Sequence, residues 1–168
     1  MANNIILIGF MGSGKSTLSD WIKNNYNKAK LDTDDYIVEL EKRSINEIFA
    51  TDGEEYFRNL ETSVLKRLLD DNITDMVISV GGGLPIKEEN GVLLKKLGKV
   101  VYLKAGVDVL VNRLKNDKSR PLLQGGELKE KIENLMQKRE RIYEDRADLI
   151  IDTAGLSLKE IYNEICKS

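Results

Sequence analysis

The 168-residue sequence contains no histidine. Mechanisms that rest on a Ser–His or Cys–His pair, and metal sites built from imidazole, are therefore excluded. One cysteine, Cys166, allows no disulfide within the chain and suits a reducing compartment. It reads as an ordinary small residue of a last helix. A basic excess is missing as well: 26 Lys and Arg face 28 Asp and Glu, and the net charge of −2 gives no support to a nucleic-acid partner. No apolar run approaches the length of a membrane span, and Met1-Ala2-Asn3-Asn4 lacks the basic segment of a secretory signal. A cytoplasmic protein without a membrane partner is expected. Internal repeats, low-complexity tracts and Pro/Gly/Ser linkers are also lacking. The length fits one domain spanning 1–168, expected to act as a monomer. Chemistry at neutral pH is left to carboxylates, Lys, Arg, backbone amides or a bound metal ion, and phosphoryl transfer asks for little more.

Four short runs rich in Ile and Val read as strands: Ile5 to Ile8, Met76 to Val80, Val100 to Leu103 and Leu149 to Ile151. A weaker fifth, Ala29 to Leu31, leads into Asp32. Their continuous apolarity predicts strands covered on both faces of a parallel sheet. Between them lie segments of helical period. Leu18, Trp21 and Ile22 share a face, as do Leu60, Val64, Leu65 and Leu68, and Val107, Leu110, Val111 and Leu114. Ile132, Leu135 and Met136 form another face, continued by Ile142 and Tyr143. The alternation predicts an α/β fold with a parallel sheet. Two places break the rhythm. Residues 34–71 insert two or three helices where one would suffice, and residues 115–126 are polar and basic, with a proline and paired glycines, like a mobile lid.

After the first strand, Gly9, Gly14, Lys15 and Ser16 meet the pattern G-x-x-x-x-G-K-[ST] in full. Glycines let successive backbone N–H groups converge on phosphate oxygens, and the following helix adds its positive end. Lys15 is placed to reach the β- and γ-phosphates of a nucleotide, ATP above all, and the Ser16 hydroxyl to ligate Mg²⁺. Such a loop serves kinases, switches and motors alike.

The acceptor must be read elsewhere. Leu31-Asp32-Thr33-Asp34-Asp35 follows the second strand, and ligands bind at strand ends in open α/β sheets. Carboxylates at i and i+2 there can serve a metal and a substrate hydroxyl. Asp clusters also cap helices, and Asp35 is assigned that plainer role. Arg58 suits a bidentate grip on a carboxylate, and Glu61 at i+3 orients its guanidinium or forms a plain surface ion pair. Gly81-Gly82-Gly83 removes side chains where backbone must approach a ligand closely, unless it is only a flexible loop.

Together these blocks resemble the shikimate kinase family. The resemblance rests on the P-loop, Asp32-x-Asp34, Ser44-Ile45-x-x-Ile48-Phe49, Gly53-Glu54-x-x-Phe57-Arg58-x-x-Glu61, Gly81-Gly82-Gly83, Arg120-Pro121-Leu122 and Arg139-x-x-x-Tyr143, from residue 5 to about 153. It implies a P-loop kinase of three layers, with a five-stranded parallel sheet, a helical substrate-binding insertion at about 34–61 and a lid at about 115–126. The implied reaction moves the γ-phosphate of ATP to the 3-hydroxyl of shikimate, with Mg²⁺. By the same resemblance Asp34 contacts the shikimate hydroxyls and is the base, while Arg58 and Arg139 grip its carboxylate. Phe57 and Gly81 to Gly83 complete that site. Asp32 joins Ser16 near Mg²⁺. Gly12, Ser13, Gly14, Lys15, Ser16 and Thr17 hold ATP, Arg120 closes over the phosphates with Lys15, and Arg113 lies near the adenine. Glu41-Lys42-Arg43 departs from the family's usual Thr/Ser-Gly-Arg. Asp152-Thr153-Ala154-Gly155 lacks its adenine-loop Arg or Asn, and Glu140-Arg141-Ile142 lacks the proline common before the tyrosine. Two other readings are a kinase for gluconate or a nucleoside monophosphate, and a nucleotide-dependent binding protein without turnover. Arg58 and Arg139 favour an acid, the triple glycine disfavours nucleotide acceptors, and the intact Lys15, Ser16, Asp32, Asp34 and Arg120 disfavour loss of turnover.

Overall fold

Five apolar segments pair side by side in a computed structural model that describes residues 3–168; Met1 and Ala2, with which the expected absence of a leader begins, lie outside the described residues. The strands are β1 (Ile5–Ile8), β2 (Ala29–Asp32), β3 (Met76–Ser79), β4 (Lys99–Lys104) and β5 (Leu149–Asp152). They form one parallel sheet in the order β2-β3-β1-β4-β5. Every connection carries the chain back to the same edge, so all five carboxyl ends open on one rim.

Strand alternation divides the apolar residues between two layers. Ile6, Ile8, Ile78, Val80, Val100 and Tyr102 face the larger core, and Ile5, Leu7, Val77, Val101, Leu103 and Ile151 face the smaller. The smaller core is closed by α1 (Lys15–Tyr26), through Leu18 and Ile22, and by α7 (Leu158–Lys167), through Ile161 and Ile165. Cys166 lies exposed on α7. The larger core takes α2 (Thr33–Glu41), α3 (Ile45–Asp70), α4 (Glu88–Leu97), α5 (Val107–Leu114) and α6 (Leu128–Arg146). Two-sided burial holds for β1, β3 and β4 but fails at the sheet's margins. Ile150 on β5 is 46% exposed and β2 is only partly covered, because an edge strand has no neighbour beyond it.

The 34–71 insertion is α2 and a bent α3. Ser44 caps α3 reciprocally with Glu47, and Gly53, at φ 86° and ψ 174°, breaks it into two helical pieces. Lys42, where the resemblance places glycine, adopts the left-handed conformation at φ 56°. Arg43 bridges Glu41 and Asp52 at 2.8 and 2.5 Å, holding the two sides of that turn together.

One structural residue escaped the sequence reading. Asn4, 2% exposed, donates to the carbonyls of Ile73 and Leu97 and accepts from the Met76 amide, all at 2.9 Å. A buried amide side chain thus pins the starts of β1 and β3 and the end of α4.

Candidate active site

The P-loop turns sharply between β1 and α1. Gly12 and Gly14 sit at φ 78° and 101°, in the region open to glycine, and Gly14 serves as N-cap of α1 without any side-chain cap. The first turn of α1 therefore presents its N–H groups and partial positive charge to the rim. Lys15 folds back over the loop, where Nζ donates to the carbonyls of Gly9 and Phe10 at 2.9 Å each. Burial, aided by the positive charge of Arg120, lowers its pKa to about 8. A cleft of about 420 Å³ opens here, within the range of ligand sites. Gly12, Ser13, Gly14, Lys15, Ser16 and Thr17 line it together with Asp32, Asp34, Arg113 and Arg120.

At the end of β2 the capping role belongs to Asp32, not Asp35. Asp32 Oδ1 accepts from the amides of Asp34 and Asp35 at 2.9 and 3.2 Å, and its backbone is extended as an N-cap requires. Its other oxygen, Oδ2, accepts from Ser16 Oγ at 3.3 Å, so the same carboxylate also reaches the P-loop. Asp34 turns the other way, deeper into the rim. Burial first, and Asp32 second, raise its pKa above the ordinary carboxylate value. Arg120 Nη1 lies 3.6 Å from Asp34 Oδ2.

Beyond Asp34 a second, tighter cavity of about 50 Å³ continues the cleft. Its walls include Phe57, Arg58, Glu61, Gly81, Gly82, Gly83 and Arg139, and its roof is Ser119 to Leu122 of the 115–126 segment. The Arg58–Glu61 pair is not a surface ion pair. Glu61 is 0% exposed and its Oε2 accepts from Arg58 Nη1 at 2.8 Å, while Arg58 Nη2 reaches Glu54 at 3.2 Å. Arg139, buried on α6, lies over the Phe10 ring of the P-loop at 5.9 Å. One turn along, Tyr143 Oη donates to the Gly82 carbonyl at 2.5 Å. The i, i+4 spacing of Arg139 and Tyr143 put both on one face in the sequence, though no role for the tyrosine followed from it.

The glycine run is crowded by the protein's own groups. A Cβ on Gly83 would fall 2.3 Å from Arg58 Nη1, and one on Gly81 would fall 2.6 Å from Asp34 Oδ1 and 3.1 Å from Glu61 Oε1. A Cβ on Gly82 would stand 3.2 Å from the Met11 amide, so the run also abuts the P-loop. The Thr33 hydroxyl, buried and unmarked in the sequence, accepts from the Gly81 amide at 3.0 Å and fixes where the run begins. The glycines thus leave room for Asp34, Arg58 and Glu61 beside the phosphate loop.

Residues 115–126 contain a 3₁₀ turn at Pro121–Leu123, with Leu123 buried. Asn46 of α3 donates to the Lys118 carbonyl at 3.3 Å, and Arg120 Nε stands 3.4 Å from Asp117. Arg113 Nη1 donates to the Gly12 carbonyl at 2.8 Å, bracing the P-loop. Thr153 and Leu156, from the segment after β5, close the far end of the cleft.

Six buried side-chain polar atoms have no hydrogen-bond partner among the described residues, and five of them meet here: Ser13 Oγ, Asp34 Oδ1, Glu61 Oε1, Arg120 Nε and Arg139 Nη1. Buried polar atoms are normally paired, so both donors and acceptors stand ready for a polar ligand.

The profile of the shikimate kinase family matches residues 11–168. A shikimate kinase of Geobacter sulfurreducens is 43% identical over 162 residues, spanning 96% of this chain and 88% of the relative. One of Dictyoglomus turgidum is 39% identical over 168 residues, with 98% and 96% covered. Among solved structures, shikimate kinase from Acinetobacter baumannii in complex with shikimate superposes with a TM-score of 0.91 at 32% identity, covering 99% of this chain and 92% of that one. A deoxyadenosine kinase from M. mycoides with bound dATP, 19% identical with a TM-score of 0.62, shares the fold, with 98% of each chain covered.

Proposed function

The chain belongs to the shikimate kinase family and is an ATP-dependent kinase, and from that premise we propose how its residues carry the γ-phosphate of ATP to the 3-hydroxyl of shikimate. The observation that carries the assignment of roles is the set of unpaired polar atoms beside the P-loop. Arg139 Nη1 can donate, while Asp34 Oδ1 and Glu61 Oε1 can accept. A small polyol acid offers the complementary groups.

Gly12, Ser13, Gly14, Lys15, Ser16 and Thr17 bind the phosphates of ATP, with Arg113 holding the loop in shape through Gly12. Among the described residues no three His, Cys, Asp or Glu side chains gather to cage a metal. Ser16 and Asp32 nevertheless suit Mg²⁺, which takes one or two protein oxygens and completes its shell with waters and substrate phosphates. When bound, the ion neutralises charge on the β- and γ-phosphates. Arg58 and Arg139 grip the shikimate carboxylate, and Glu61 holds Arg58 in place. Phe57 and the Gly81 to Gly83 backbone complete the wall. Asp34 takes the proton of the attacking hydroxyl, and its raised pKa makes it a better base near neutrality. Lys15 and Arg120 stabilise the charge that develops on the transferred group.

The segment 34–61 serves as the shikimate-binding insertion and 115–126 as the lid of one kinase domain. Ser119 to Leu122 roof the acceptor cavity, so entry and release of the acceptor run past this segment. Closure afterwards excludes water, which competes for the γ-phosphate. We take the enzyme to act as a cytoplasmic monomer on diffusible small molecules. The described residues include no helix long and apolar enough to cross a membrane, and the net charge of −2 offers nothing to nucleic acid.

A panel of acceptors with MgATP tests the assignment. Shikimate should be preferred over gluconate and nucleoside monophosphates, and phosphorus NMR of the product should place the ester on the 3-hydroxyl. Preference for any other acceptor refutes it.

A further inference from the structure

Glu61 is a carboxyl group in an unusual position. Its residue is fully buried, one oxygen is held by Arg58 at 2.8 Å, and the other, Oε1, has no partner. Groups from every neighbouring element face it. Arg58, itself paired to Glu54, lies on the same helix. Asp34 on α2 meets it across Gly81, since Asp34 Oδ1 and Glu61 Oε1 both lie within about 3 Å of where one Cβ would stand. From α6 come Arg139, with an unpaired Nη1, and Tyr143, whose hydroxyl is committed to Gly82. Arg120 of the 115–126 segment and Lys15 of the P-loop lie one group further out, both acting on Asp34. On the α4 side, Lys87 donates to neighbouring Thr62 and pairs with Glu89. The glycine run adds no titratable side chain.

Two changes follow when an anionic acceptor enters this cavity. Its carboxylate brings a negative charge to Arg58, which Glu61 already shares, and its body displaces water from the cavity next to Oε1. Both disfavour the ionised form of Glu61. We infer that Glu61 is a proton-linked positioning residue: it holds Arg58 as a carboxylate while the acceptor site is empty, and takes up one proton from solvent as the acceptor's carboxylate settles on Arg58 and Arg139. The proton adds to a carboxylate oxygen, a buffer molecule supplies it, and nothing else changes covalently. Burial already raises the Glu61 pKa to about 7, with Arg58 opposing, so Glu61 is partly ionised at neutral pH and has a fraction of a proton left to take up. The inference rests on the reading of Arg58 and Arg139 as the carboxylate grip.

Calorimetric titration of the full chain with shikimate, in Pipes and in Tris at pH 7.5, measures the proton directly. Uptake makes the heat less exothermic in Tris, by an amount corresponding to roughly half a proton per site. Repeated at pH 5.5 in acetate and in Bis-Tris, which buffer there, the difference should shrink toward zero, because Glu61 is already protonated. Glu61→Gln should still bind shikimate but lose the buffer dependence, while Asp34→Asn should keep it. Equal heats in both buffers, proton release, or undiminished uptake in Glu61→Gln would overturn the inference; if that variant does not fold, equal heats or proton release by the unaltered protein at pH 7.5 would still overturn it. Failure of shikimate to bind at any pH would instead refute the acceptor assignment itself, and this inference with it.

Discussion

Single residues divide the labour so cleanly that substitutions should separate binding from chemistry. Asp34→Asn removes the base while keeping its shape, so kcat should fall by about 10²–10⁴ with ATP affinity little changed, as paired turnover and nucleotide-binding assays would show. Arg58→Ala should raise the KM for shikimate by roughly ten- to a hundredfold, the loss of one charge-assisted grip, and leave ATP binding alone. Normal shikimate binding by that variant would mean the acceptor site is misplaced. Lys15 adds a pH signature. Its folded pKa of about 8 means that above this pH the free protein loses the ammonium that meets the phosphates. The kcat/KM for ATP should therefore decline as pH rises through about 8, and a flat profile to pH 9.5 would contradict this role. Lys15 was legible from the P-loop spacing alone, whereas the roles of Asp34 and Arg58 came from the family resemblance of the blocks that hold them. Glu61 was legible as a partner of Arg58, but its burial was not, since i, i+3 spacing looks the same on an exposed and a covered face. The cap fell to Asp32 rather than Asp35 because capping depends on where the strand ends, and β2 runs one residue further than its apolar content indicates.

At the scale of elements, the proposed acceptor site depends on the glycine run after β3. Gly83→Ala would place a methyl group 2.3–2.5 Å from the Arg58 guanidinium. A guanidinium is the far end of a flexible side chain, so it can move aside and the fold should survive. Moving aside breaks its alignment with Glu61. The expected result is a KM for shikimate raised about tenfold, an unfolding midpoint nearly unchanged and ATP binding intact. Loss of folding, or an unaltered KM, would show that the run is not placed as described. Asn4→Ala should act in the opposite sense, on stability alone. It strands the Ile73 and Leu97 carbonyls and the Met76 amide, so urea denaturation should show a loss of about 3 kcal/mol. The five strands and the helical faces were readable from period, because two-layer burial imposes it. Neither Asn4 nor Thr33 carries such a signal, since a polar residue beside a strand looks like a loop until its partners, about 50 to 90 residues away, are in place. The bend in α3 at Gly53 and the turn held by Arg43 were likewise hidden, being set by contacts between segments rather than by local pattern.

For the molecule as a whole, five parallel strands bring the P-loop, Asp32, the glycine run, Arg120 and the segment after β5 to one rim, although they are spread through the sequence. Strand order places β1 between β3 and β4, so the phosphate loop stands beside the glycine run on one side and, on the other, the end of β4 that leads into α5. On the proposed assignment of roles, that adjacency turns a nucleotide-binding loop into a device for one acceptor. The parallel class of sheet was legible from the alternation of strand and helix, whereas the close approach of donor and acceptor sites came only with the strand order. The most direct test is ADP release from MgATP, measured with and without shikimate. The account predicts ADP in one-to-one proportion to shikimate consumed, and almost none in its absence. Saturable shikimate binding without any coupled ADP release would contradict it.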